Sequence, residues 1–268
     1  MAEAIINLNA DMGESFGAWS MGADEQLLDV VCTANVACGM HAGDPMVMRR
    51  TLAAARARGV EVGAHPGYPD LAGFGRRDLG MHPKEIEACV AYQIGALTAL
   101  AACEGCTLAH VKPHGAMYNR AWTDAPAARA IAAAIASVDS RLILLAPAFS
   151  ELSKAGHEFG LSVVDEVFAD RAYRDDGRLV SRSEPDAVLH DTARVLEHLD
   201  SMLSGEVVAR GGTRLAVTAG SVCLHGDNEA ALTLAQEVRR RLELRGYRMV
   251  SLREFAAHSR EDHDSAQH

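Results

Sequence analysis

The chain has 268 residues, 49% hydrophobic and 23% charged, with a formal net charge of −10 and a pI of about 5.6. It is long enough to bury a sizeable core, and its acidic balance excludes nucleic acid and an anionic membrane as main partners, since both need a basic face. The N-terminus M-A-E-A-I-I-N-L-N-A-D has no basic, apolar leader, and no stretch reaches the ~18 apolar residues of a membrane span, so a cytoplasmic protein is expected.

Residues 5–9 (I-I-N-L-N) alternate as a strand does and lead into Asp11 and Glu14. Asp24 fits the N-cap of a helix over 25–31, and 31–36 reads as a second strand running into Cys38-Gly39-Met40-His41. Asp44-Pro45, a cap followed by proline, opens a helix over 46–58 that stops at Gly59. A third strand, 60–64, runs into His65-Pro66-Gly67-Tyr68 and a loop rich in Gly and Arg that carries Arg76. His82-Pro83 opens a long apolar-periodic helix over 84–102, and 109–112 form a fourth strand stopped by Pro113-His114-Gly115. Asp124 caps a helix over 127–137, and 141–146 is a fifth strand with a short helix to 155. A sixth strand, 161–164, leads to Glu166, Asp170 and Arg171, and 173–183 is polar loop. Residues 183–186 start a helix to about 202, and 206–209 with 215–218 read as a hairpin around R-G-G-T. A seventh strand, 221–224, ends in His225-Gly226-Asp227, a charged helix covers 229–245, and 248–251 form an eighth strand. The polar tail, 258–268, is expected to be disordered, leaving 1–257 as one domain.

Apolar strands alternating with helices mean a parallel sheet with helices outside, and seven or eight such units without a linker favour a single-domain (β/α)7-8 barrel. A doubly wound open sheet is the alternative, weakened because no G-x-G-x-x-G follows the first strand. Polar groups gather at strand ends, which converge on the C-terminal mouth of such a barrel. The catalytic candidates are Asp11, Glu14, His41, Lys112 and His114. The substrate-binding candidates are Asn9, Asn35, His65, Tyr68, Arg76, Tyr118, Asn119, Glu166, Asp170, Arg171, His225 and Asp227. Plainer readings compete: Asp44 and Asp227 as helix caps, Asp170 with Arg171 as a structural ion pair, Lys112 as a buried salt bridge. Lys112 stands out because the chain has three lysines, and strand alternation points it the same way as His114. Cys103 and Cys106 have C-x-x-C spacing but no second pair, so the six cysteines read as small core thiols. Two chemistries fit these groups. Histidines with carboxylates hold a divalent metal that activates water; Lys, Arg, His and carboxylates together bind an anionic substrate and a phosphoryl donor. No G-x-x-x-x-G-K-[ST] occurs, so a nucleotide would bind without a P-loop.

Six segments in order, N-A-D-M-G-E-S-F-G, A-N-V-A-C-G-M-H-A-G-D, G-A-H-P-G-Y-P-D-L-A-G-F-G-R-R, H-V-K-P-H-G-A-M-Y-N, E-V-F-A-D-R-A-Y and V-C-L-H-G-D-N, resemble the LamB/YcsF family from about residue 6 to 252. Met12 and Met40 stand where that pattern has Leu and Phe, both apolar exchanges. The resemblance implies a barrel of the glycoside hydrolase/deacetylase type. It implies ATP-dependent cleavage of the lactam of 5-oxo-L-proline to L-glutamate, with this chain as the A-subunit of a 5-oxoprolinase that also has B- and C-subunits. The implied cofactor is ATP with Mg²⁺, and no tightly bound metal is expected. The rival expectation is a metal-dependent deacetylase or amidohydrolase acting on a small amide without ATP; a third is a non-catalytic scaffold for the other subunits.

Overall fold

The computed structural model describes residues 3–182, 184–224 and 229–265, and the side chains of these except 229 and 260–265. Strands β1 (Ile5–Met12), β2 (Thr33–Ala37), β3 (Glu61–His65), β4 (His110–Val111), β5 (Ile143–Pro147) and β6 (Val163–Phe168) pair in parallel in that order. β7 (Glu206–Val208) and β8 (Arg214–Ala216) form an antiparallel hairpin outside the ring. β9 (Ser221–Leu224) pairs with both β6 and β1 and closes a seven-stranded barrel. The expected eighth strand is β10 (Arg248–Met249), which pairs with the first residues of β1 below the ring instead of joining it.

The helices are α1 (Asp24–Leu27), α2 (Pro45–Ala57), α3 (Pro83–Cys103), α4 (Gly115–Ala121), α5 (Ala125–Asp139), α6 (Glu151–Glu158), α7 (Thr192–Leu203), α8 (Glu229–Leu244) and α9 (Leu252–Ser265). Three begin where a cap precedes a proline. Asp44 accepts from the Met46 and Val47 amides, Asp124 from Ala127, and His82 and Glu85 form a reciprocal capping box at the start of α3. By length and composition α3 could cross a membrane, but Ile86, Val90, Ile94, Leu97 and Ala101 make a buried stripe on it, and it packs between α2 and α5.

Local signals misled in three places. Asp24 does not cap α1; its carboxylate accepts from the Gly13 amide at 2.8 Å, and α1 is four residues long. Ser183 lies outside the described residues, and no helix starts at 184–186: Asp186 has φ 57, and α7 begins only after Asp191, which accepts from Arg194. The Pro113-His114-Gly115 stop leads directly into α4. The backbone of α9 runs into the polar tail as far as Ser265.

Along β1, Ile6, Leu8, Ala10 and Met12 join the core between barrel and helices, while the intervening Asn7, Asn9 and Asp11 face inward. The barrel interior is layered. At the bottom, Ile143, Leu145 and Val164 pack with Leu252, Phe255 and Ala256 of α9, and Glu61 at the foot of β3 accepts from the Leu252 amide. Above lies a hydrogen-bonded layer: Asn7 donates to Thr33 at 2.8 Å and accepts from Ser221 at 2.7 Å. Charged groups occupy the mouth.

Candidate active site

Lys112 follows β4 and is 3% exposed. Its ammonium lies 3.1 Å from Asp11 Oδ1 and 3.2 Å from Glu166 Oε2, and donates to Asn9 Oδ1 and Cys223 Sγ, each at 3.1 Å. Burial opposes its charge, but Asp11, Cys223 and Glu166 together hold its pKa well above the ordinary value, so it is an ammonium. Burial likewise opposes ionisation of Asp11, and His65 and Lys112 outweigh it, keeping a carboxylate. Tyr118 donates to Glu166 Oε1 at 2.5 Å; burial, then that carboxylate, hold the phenol protonated. Asn35 donates at 2.8 Å to both Asn9 and Asp11, so β1, β6 and β9 hold the lysine directly and β2 holds it through one partner.

Beside this group, Glu14, His41, His65 and His114 bring one ligand atom each within 4.8 Å of one another, a set able to hold a metal ion. His65 Nδ1 lies 2.7 Å from the Lys112 carbonyl and His114 Nε2 2.8 Å from the Phe74 carbonyl. The inner nitrogens of these two rings are 3.0 Å apart. His41 is fully buried and stacks on His114 at 3.7 Å. Burial, reinforced by the neighbouring histidines, pushes His41 and His114 well below the ordinary histidine pKa, so both are neutral bases.

Asp11, Glu14, His65, Lys112, His114, Tyr118 and Asn119 line one cavity of about 520 Å³. Five arginines line it as well: Arg76, Arg171, Arg174, Arg178 and Arg182. Arg171 donates to the Val180 and Ala187 carbonyls and so ties the loop that forms this wall; Arg174 and Arg178 pair with Glu184 and Asp176. Arg76 lies over the Phe74 ring at 4.9 Å and has no carboxylate partner among the described residues. Asn9, Asn35 and Glu166 sit beneath the cavity as the support of Lys112. Tyr68 is packed in the core, and Asp170 faces a separate small apolar pocket with Ala235 and Val238. His225 and Asp227 lie outside the described residues.

Several contributors were not singled out from sequence. His110 is buried 2.7 Å from Asn35 Oδ1, with burial, then Lys112, pushing its pKa down to about 3. Its ring fills the space beside Gly63, where a Cβ would come within 2.2 Å of it. Gln93 on α3 exchanges hydrogen bonds with both backbone groups of Gly67 at 2.9 Å and fixes the loop after β3. Cys223 is a core thiol as expected, yet it also touches the lysine. The available signals were a glycine inside a strand for His110 and a polar residue in an apolar helical stripe for Gln93.

The chain is close to known proteins. The LamB/YcsF family model matches residues 6–257. The A-subunit of 5-oxoprolinase from Azoarcus sp. (strain BH72) is 52% identical over 251 residues, 93% of this chain and 98% of that one. The crystal structure of a lactam utilization protein from Thermus thermophilus superposes with a TM-score of 0.87 at 42% identity, covering 92% of this chain and 100% of that one. The catalytic domain of a peptidoglycan N-acetylglucosamine deacetylase from Eubacterium rectale shares the barrel fold alone, with a TM-score of 0.52 at 14% identity over 94% of this chain and 89% of that one. With the family model covering nearly the whole chain and a relative of this similarity matched almost end to end, the chain belongs to the LamB/YcsF family.

Proposed function

We propose that this chain opens the lactam of 5-oxo-L-proline to give L-glutamate, working as the A-subunit of a complex whose B- and C-subunits complete an enzyme that converts ATP to ADP and phosphate. The observation that carries the reading is Lys112: a buried ammonium beneath an arginine-lined cavity, in a chain 52% identical to a relative named as the A-subunit of 5-oxoprolinase. An unstrained five-membered lactam is a poor electrophile, so activation by a phosphoryl group has a clear purpose. Transfer of the γ-phosphoryl group of ATP to the lactam carbonyl oxygen releases ADP, with Mg²⁺ accompanying the nucleotide. Water adds to the activated carbon, the ring C–N bond breaks with protonation of nitrogen, and an acyl phosphate remains. A second water attacks the same carbon, and phosphate departs with the former lactam oxygen.

In this scheme Lys112 neutralises charge developing on the carbonyl or phosphoryl oxygens, and Arg76 receives the substrate carboxylate or the phosphoryl group. Water's proton goes to the group of Glu14, His41 and His114, whose imidazoles burial keeps neutral. The test is isotopic. With ¹⁸O in the lactam carbonyl and the reconstituted complex, label is expected in inorganic phosphate, with two solvent oxygens in the new carboxylate. Label retained in glutamate excludes this route, and turnover by the chain alone without ATP would favour a metal-dependent hydrolase.

A further inference from the structure

We propose that the barrel mouth holds one divalent transition-metal ion of the zinc class, bound by Asp11, His65, His114 and Glu14. Two protons decide it. A carbonyl oxygen only accepts, so His65 Nδ1 and His114 Nε2, at 2.7 and 2.8 Å from the Lys112 and Phe74 carbonyls, carry the ring hydrogens. With the hydrogen of each ring on its outer nitrogen, the two inner nitrogens face each other at 3.0 Å and need a cation or a further proton between them. Asp11 Oδ2 lies 3.3 Å from His65 Nε2, and Glu14 Oε1 lies 3.4 Å from His114 Nδ1. Four electron-rich atoms in a row repel unless a cation joins them.

The spacing suits an ion. Ligand atoms 2.0–2.1 Å from a tetrahedral zinc stand about 3.3–3.4 Å apart, and the consecutive gaps along the row are 3.3, 3.0 and 3.4 Å, with Glu14, His65 and His114 within 4.8 Å of one another and Asp11 joining at the His65 end. Metal-bound imidazoles usually donate their other N–H to a carbonyl or carboxylate, which both rings do. The backbone is shaped for this purpose. Phe74, whose carbonyl orients His114, has φ 55, and a Cβ on Gly75 would lie 2.8 Å from the His41 Cβ and 2.9 Å from His114 Cδ2.

His41 belongs to the cluster but not to the ligand set. Its ring is stacked on His114 with 4° between planes. Imidazole lone pairs lie in the ring plane, so two parallel stacked rings do not aim at one ion. His41, buried with no hydrogen bond to either ring nitrogen among the described residues, is left beside the ion as the proton acceptor of the group. Two nitrogens with two carboxylates suit Zn²⁺, Co²⁺, Mn²⁺ or Fe²⁺ and differ from the oxygen shell of Mg²⁺, so this ion is separate from the one that travels with ATP. When bound, such an ion polarises a carbonyl or acidifies a water.

One extra proton on His65 Nε2, shared with Asp11 Oδ2 or His114 Nδ1, would also relieve the row and is the ion-free state in which His65 lowers the Asp11 pKa; metal titration separates the cases. Chelator-stripped full-length protein is titrated with Co²⁺, reading visible absorption, bound metal after dialysis and the melting temperature. The expected result is one Co²⁺ per chain and a melting temperature that climbs with ion concentration. Glu14→Gln and His114→Gln are expected to weaken binding beyond the ~10–100-fold that losing an outer-sphere partner costs, whereas His41→Asn keeps the stoichiometry. Glu14→Gln, at the rim, carries the test if His114→Gln fails to fold. Wild-type protein that takes up no Co²⁺ or Zn²⁺ at millimolar ion, or ligand variants that both bind as tightly as wild type, overturns the site.

Discussion

A lysine as buried as Lys112 is held in place by two carboxylates that would otherwise face each other across a barrel. Removing it leaves Asp11 and Glu166 uncompensated, so Lys112→Ala is expected to cost about 3–5 kcal/mol of stability, read as a lowered denaturation midpoint, and to abolish 5-oxoprolinase activity of the complex. A folded variant with full activity would return the lysine to a purely structural role. That Lys112, His114 and Asp11 share one mouth was legible in the sequence, because strand alternation and a strand end are enough to place them. The proton positions on His65 and His114 were not. They depend on which backbone carbonyl comes within reach, and Phe74 reaches His114 from 40 positions away. For the same reason the sequence carries an expectation of no tightly bound metal, whereas the ion proposed above rests on where the ring hydrogens lie.

Helix starts were readable where a cap and a proline sit together, since both act on their own neighbours. Asp124 shows the effect at full strength: it caps α5 and pairs with Arg120 at 2.7 Å. Burial works against its charge, but Arg120 and the Ala127 amide win and lower its pKa. Asp124→Ala is expected to lose about 1 kcal/mol at neutral pH. A carboxyl whose folded pKa is depressed stabilises fully above its unfolded value near ~3.9 and loses that contribution as pH falls through the folded value. The stability difference between wild type and variant should therefore be largest near neutrality and shrink in acid; a difference unchanged at low pH would assign the loss to something other than the carboxylate. The same local logic failed at Glu184 to Asp186. There Pro185 mimics a first helical position, but the following residue takes a positive φ while Arg171 and Val188 pair across the loop. No neighbour in the chain announces that pairing.

The barrel itself was legible as alternating strands and helices, but how it closes was not. Closure rests on β1 meeting β9, more than 200 positions away, and the polar C-terminus gave no sign that the residues leading into it seal the bottom. Leu252 is fully buried against Ile143, Leu145 and Val164. Leu252→Ala is expected to cost about 2–5 kcal/mol as a cavity opens at that seal, measured by urea unfolding; a change near zero would mean that α9 merely rests on the outside. The inward faces of Asn7, Asn9 and Asp11 explain why β1 reads as half polar although it is central: they serve an interior that grows more charged from floor to rim. The seal has a further consequence for traffic. With α9 packed against one end, the described residues leave the mouth as the way into the cavity, so arrivals and departures there share one opening in turn. A protein seated over that rim would govern entry and exit at once.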